Sequence, residues 1–364
     1  MNIDNLEKNS SIMAAPTSLR DFKDLVQASF SNTLDELDEG DGAFFDYSKS
    51  LKVYLIENNN ERVPIFPGFT EWKCLDDANN WLISHKENDP HKYLLYDNSL
   101  QRVGVLYTML KVTGIDKQIN YWIEHTPNLD HCWLSRKQLL SFSGREGWEE
   151  KGIGLRYRNV LEEKNKGEDR STISLKAWYG SGNISDWKSG LDLLREKATI
   201  SSVRWRKSID GDTKVSSEWY NYGKVTVSFA DDVEDIMQSI TIMAQRYYDS
   251  LTEATKLRDN SLSGFELNFT KPVDINAFSD FVAGGKSSLK LWMIEVESEP
   301  DLKRFRGVDM HTWDLVYLDL ASDYAYLSIP GNGCVNAAPR IAVIQGENTA
   351  GDTSILFNGV DLFD

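Results

Sequence analysis

Cysteine is scarce in this 364-residue chain: Cys74, Cys132 and Cys334 are far apart and odd in number. Such a set is no disulfide framework, and it points to a reducing cytoplasm. No C-x-x-C pair occurs, which excludes a cysteine zinc knuckle. Long apolar runs are missing as well; none approaches the ~20 residues needed to span a bilayer. The opening MNIDNLEKNSSIMAAP lacks the apolar core of a signal peptide. Positive charge is in deficit, and the formal net charge of −16 argues against non-specific attraction to nucleic acid or anionic lipid. The same charge suits a soluble protein that meets a protein partner with a basic surface. Together these absences give a soluble, cytoplasmic chain with no membrane segment.

Catalytic signatures are missing too. There is no Walker-A loop, no G-x-S-x-G, no H-E-x-x-H and no G-x-G-x-x-G after a strand. The glycine-bearing stretches YGSGN (179–183) and PGNGC (330–334) carry no Lys to meet a phosphate and read as plain turns. An acidic loop, LDELDEGDGAFFD (34–46), fails as a calcium loop. With Asp35 in the first position, Leu37 falls where a ligand oxygen is required.

What is present is an ordinary globular composition, 41% hydrophobic and 26% charged, over a length that one hydrophobic core seldom serves. The fold class expected is α+β, in two or three domains with mixed or antiparallel sheets. The expected division is a loose tail at 1–17, an N-terminal α/β domain at 18–145, a meander-plus-helix domain at 146–260, and a region at 261–364 continuous with the middle domain.

Periodicity supplies the elements. Leu19, Phe22, Leu25, Val26 and Phe30 recur at helical spacing. Residues 51–56 and 93–96 read as strands. Helices are expected at 76–84 and 100–112 and a strand at 118–123, giving β/α alternation. Alternation over 200–207, a turn at Asp210-Gly211, strands at 215–222 and 224–229 and a bend at Tyr222-Gly223 make a three-stranded antiparallel meander at about 200–229. Val233, Ile236, Ile240, Met243, Tyr247, Leu251 and Ala254 then draw the apolar stripe of a long helix at about 231–257, capped by Asp231 and packed on the meander. Strand, short helix and strand follow from Phe265, Asp274 and residue 289. A hairpin turns at Ser322-Asp323, and the tail after Gly346 reads as loose apart from SILF.

Chemistry concentrates in VDMHTWDLVYLDL (308–320). Asp309, His311 and Asp314, helped by Glu295 and Glu297, have the ligand types of a metal-dependent hydrolase or nuclease. Their spacing imposes no geometry, and the competing structural reading is a polar turn formed by Asp309 and Thr312 with Trp313 buried behind it. Four of five histidines lie between 85 and 131, in a segment (EHTPNLDHC) that matches no finger pattern and reads as surface loop. Eleven tryptophans are an excess, and Trp and Arg are the residues that anchor interfaces. SVRWRKS sets Arg204, Arg206 and Lys207 around Trp205, a local basic patch and the expected partner-binding strand. The functional expectation is a non-catalytic protein-interaction component, an adaptor, scaffold or inhibitor subunit, with no cofactor and no metal. The alternative is the hydrolase or nuclease on Asp309, His311 and Asp314.

Overall fold

The structure is a computed structural model describing residues 16–37, 50–60, 62–66, 69–75, 79–85, 93–110, 112–158, 172–178, 198–261, 263–283 and 289–363. Most of the 1–17 tail, the acidic loop from residue 38 onward, YGSGN and His91 fall outside them. The α+β class holds: among the described residues six helices accompany two antiparallel sheets. Among the described residues no helix is long and apolar enough to cross a membrane.

The first sheet grows outward from β1 (Leu51–Asn58), buried along its whole length. On one side lie β5 (Val103–Thr108), β4 (Tyr93–Leu100), β3 (Asn80–His85) and β2 (Phe69–Cys74). On the other lie β11 (Lys224–Ala230), β10 (Asp212–Tyr220), β9 (Thr199–Ile209), β7 (Trp148–Arg158) and β8 (Thr172–Trp178). A short β6 (Leu129–His131) pairs with the end of β1. The sheet runs unbroken across residue 145.

The expected meander is β9–β11. Its first turn has positive φ at Asp210 and Gly211, and its second bends at Gly223. There φ is +75°, and a Cβ would stand 2.8 Å from the Cys132 carbonyl oxygen and 2.9 Å from that of Leu55. Only glycine lets β1 and the β6 segment close over that bend.

Two expected helices are corrected. The segment 76–84 enters strand β3 where it is described, and 100–112 holds strand β5 at its centre. VGVLYT is buried at every position, the mark of a central strand covered on both faces. The expected strand at 118–123 lies inside α2 (Val112–His125), whose Ile115, Ile119, Trp122 and Ile123 are buried at helical spacing. Helices α1 (Leu19–Leu37), α3 (Arg136–Leu139) and α4 (Val233–Asp259) complete this half. The predicted stripe of α4 is its buried face. Its cap shifts by one residue: Asp232 Oδ1 accepts from the Glu234 N–H at 2.8 Å, while Asp231 pairs with Lys214.

The second sheet has the order β13 (Leu291–Ser298), β14 (Lys303–Asp309), β15 (Asp314–Leu320), β16 (Tyr324–Ser328), β12 (Phe265–Phe269), β17 (Thr353–Phe357) and β18 (Val360–Leu362). Helix α5 (Ile275–Ala283) packs on β13. The residues expected to be loose after Gly346 belong to α6 (Ala337–Thr349) and β17–β18. α6 touches β7 and β9 of one sheet and β12 and β17 of the other. It is buried on all sides, polar positions included, so it has no solvent face and writes no amphipathic stripe. One hydrophobic cluster runs from α1 through both sheets to Phe363.

Candidate functional site

Glu57 ends the apolar run LKVYLIE, and β6 places Asp130 opposite it in register. Two carboxylates facing each other across a strand pair repel, and both are fully buried. Cations from other elements answer them. Arg102, leaving the β4–β5 turn, donates from Nε to Glu57 Oε1 at 3.1 Å and from Nη1 to Thr255 at 2.9 Å. Arg340 of α6 donates to Asp130 through one terminal nitrogen and to Asp309 through the other, at 2.7 Å. Lys290 places Nζ 2.6 Å from the carbonyl oxygens of both Ile123 and Leu129.

The opening motif supplies the other wall. Asp309 Oδ1 accepts from the His311 N–H at 3.0 Å, the turn bond expected of it. That bend sends the imidazole inward, where Nε2 lies 3.0 Å from Glu57 Oε2. Trp313, expected buried, is instead 61% exposed: a positive φ of 65° at this residue turns it outward.

Asn336 sits at the start of α6 without capping it. Its amide donates to Asp130 Oδ2 and the His131 carbonyl, at 3.0 Å each, and its Oδ1 accepts from the Tyr247 hydroxyl at 2.5 Å. Cys334 Sγ lies 3.3 Å from Glu57 Oε1 and 3.4 Å from both Arg102 Nη2 and the Asn336 N–H.

Burial resists ionisation of the carboxyls, yet Arg340 and Lys290 hold Asp130 well below the usual carboxylate range. Glu57 is lowered against the same burial by His311 and Arg102. Burial also disfavours charge on His311, but Glu57 and Cys334 prevail and raise it well above the ordinary imidazole value. His131, buried with less compensation, is pushed down to about 4. Several buried polar atoms have no in-line hydrogen bond, among them Glu57 Oε2, both ring nitrogens of His311, Asp309 Oδ2 and His131 Nδ1.

The hydrolase candidates separate. Asp309 and His311 join the buried network through different partners. Asp314 opens β15 opposite Asp309 in register, is half-buried and stays outside the cluster. Glu295 and Glu297 are both exposed, bound to Lys303 and Arg304, with a register break between them. His131, expected on a surface loop, is buried because β6 pairs with β1. His125 is exposed, stacked on Tyr121.

In the strand singled out for partner binding, Trp205 is 1% exposed, and its Nε1 donates to the Leu139 carbonyl at 3.0 Å. Arg204 faces the other way, 4.9 Å from the Trp178 ring, and Lys207 pairs with Asp235 of α4.

Glu57, Arg102, Lys290, Asn336 and Arg340 belong to no motif in the sequence, and Cys334 stands there only as a lone cysteine. A signal was there for two of them. Glu57 closes an apolar strand, and Arg340 stands inside AAPRIAVI, where a charge implies a buried partner.

Cys334, His311 and Glu57 have the composition of a nucleophile, base and orienting acid. They are sealed, however. A cavity of about 190 Å³ is lined by Asp130, His131, Lys290, Arg156, Arg158 and Glu347, and another of about 290 Å³ flanks α6; none of the three residues lines either. Cys334 is 1% exposed among the described residues. The same three side chains could hold a metal, their donor atoms lying within 4.8 Å of one another.

Fold and site define a two-sheet α+β protein joined by a buried ionic seam. The chain belongs to the MJECL33-like protein family, whose model matches residues 12–347. It is similar to the uncharacterized protein MJECL33 of Methanocaldococcus jannaschii, 22% identical over 343 residues, covering 80% of this chain and 82% of that protein. No solved structure matches the chain.

Proposed function

We propose that this chain is a non-catalytic, cytosolic protein-interaction component that docks its partner on the outer face and edge of the second sheet. The carrying observation is β13. Trp292, Ile294 and Val296 alternate along it and stand 59%, 60% and 58% exposed. Among the described residues β13 pairs only with β14, so its other edge offers backbone donors and acceptors. The apolar face continues inward by register, Trp292 beside Val308 beside Leu315, and Ile294 beside Arg306 beside Tyr317. Leu315 and Tyr317 are exposed as well. Apolar surface of this kind, with a tryptophan among its exposed residues, is what interface anchors are made of.

The strand runs out into an acidic tip, with Glu297, Glu299 and Asp301 all exposed. With the chain's net charge of −16, this favours an extended partner segment that is apolar with basic flanks, added to β13 as a further strand. Trp205 offers no anchor, since its indole lies in the core. The hydrolytic reading draws no support from Asp309, which is committed to Arg340, or from Asp314, which lies outside the cluster.

The test is recovery of the tagged chain from its host beside Trp292→Glu/Ile294→Glu. A stoichiometric protein should accompany the wild type and be lost from the variant, whose melting temperature stays unchanged. Wild type recovered alone, or the same partner held by both, would overturn the reading. A change in the chain's own oligomeric state would identify the occupant as a second copy.

A further inference from the structure

We propose that Glu57, His311 and Cys334 form a buried structural site for a divalent cation of the zinc class. The three donors come from β1, the bend before β15 and the segment leading into α6, and nothing in local chain geometry requires them to meet. They nevertheless meet within 4.8 Å. The carboxylate stands 3.0 Å from the imidazole nitrogen and 3.3 Å from the sulfur. In a tetrahedral zinc site, bonds of about 2.0–2.3 Å set ligand atoms roughly 3.3–3.8 Å apart. Small side-chain shifts therefore make room for the ion.

Burial supplies a second observation. Glu57 Oε2 and His311 Nε2 face each other as a buried ion pair at 3.0 Å without hydrogen-bond alignment, and His311 Nδ1, equally buried, lacks an in-line hydrogen bond. Buried polar atoms left in this way are rare because each costs free energy.

The outer contacts are already those of a metal site: Arg102 bonds the other carboxylate oxygen of Glu57, and Arg102 and the Asn336 N–H both approach Cys334 Sγ. Thiol with imidazole and carboxylate selects zinc over magnesium or calcium, which prefer oxygen alone. Three protein ligands leave a fourth position for one trapped water. Joining both sheets and α6, the ion would act as a clamp, and this inference stands apart from the docking surface on β13.

Full-length chain purified without chelator should carry about one zinc per molecule by elemental analysis. Stripping with a chelator should lower the melting temperature, and added Zn²⁺ should restore it. Co²⁺ added to the stripped chain should produce a thiolate-to-cobalt charge-transfer band in the near ultraviolet, absent in Cys334→Ser and weakened in His311→Gln. The wild-type cobalt spectrum decides the matter even if a variant does not fold. A metal-free chain with no charge-transfer band and a melting temperature indifferent to Zn²⁺ and Co²⁺ would leave only an ion pair and overturn the proposal.

Discussion

His131 faces Asp130 and Lys290, lies among the rings of Trp133 and Tyr222, and reaches no partner with Nδ1. Burial is the leading cause of its depressed pKa, so the folded chain keeps it neutral while the unfolded chain takes up a proton near 6.5. The sign follows from that difference. Folded stability is intact above pH 6.5 and is lost as pH falls toward 4, where the folded form also protonates. The slope is about 1.4 kcal/mol per pH unit, or about 3 kcal/mol across the interval from 6.5 to about 4. Urea midpoints taken from pH 7.5 down to 4.5 should fall in the wild type and fall less steeply in His131→Gln. Equal slopes would show that this imidazole is not the source. The neighbouring Arg340 explains why the segment tolerates the burial: it occupies both Asp130 and Asp309, so the acids stay paired while His131 stays uncharged.

Two adjacent acids precede α4, and only one of them caps it. Asp232 accepts from the Glu234 N–H, satisfying a donor that the helix leaves open. Asp232→Ala should cost about 1 kcal/mol in chemical denaturation. Asp231→Ala should cost less, because its bond to Lys214 lies in solvent. A larger loss at Asp231 than at Asp232 would restore the sequence-based cap. The single-residue error is typical of what periodicity resolves. The stripe of α4 was legible because one face is buried and the other wet. The meander was legible because Val225, Val227 and Phe229 alternate and Asp210-Gly211 and Gly223 take the φ values that turns require. α6 was not legible, since a helix wrapped by two sheets has no polar face. β5 failed for the related reason that a strand covered on both sides shows a continuous apolar run and no alternation. Of the site, the turn at Asp309 was readable locally. The meeting of Glu57, His311 and Cys334 was not, because Glu57 lies more than two hundred residues before the other two and reaches them only through the packing of one sheet on the other.

The order of the first sheet makes a prediction about the whole chain. β1 lies at its centre, with β5 on one side and β11, from residues 224–230, on the other. A fragment cut at the expected boundary at residue 145 would leave Leu51–Tyr54 of β1 without their β11 partner, with only the short β6 remaining on that side. It would also strip Glu57 of His311, leaving it Arg102 alone, and Asp130 of Arg340. Breaking one buried pair in this way typically costs about 3–5 kcal/mol, a large part of the stability of an ordinary domain. Residues 18–145 alone are therefore expected to show no cooperative melt. The full chain should unfold in one step, with far-ultraviolet circular dichroism and tryptophan fluorescence tracing the same urea curve. Buried tryptophans report from both halves of the first sheet, Trp122 and Trp133 near β6 and Trp205 and Trp219 in the meander, so an early loss of one half would separate the two curves. Separate transitions, or a folded 18–145 fragment, would mean that the seam of Glu57, Asp130, His311, Asp309 and Arg340 joins units that are stable without it. Coincident curves would mean that sheet pairing and charge pairing fold as one event.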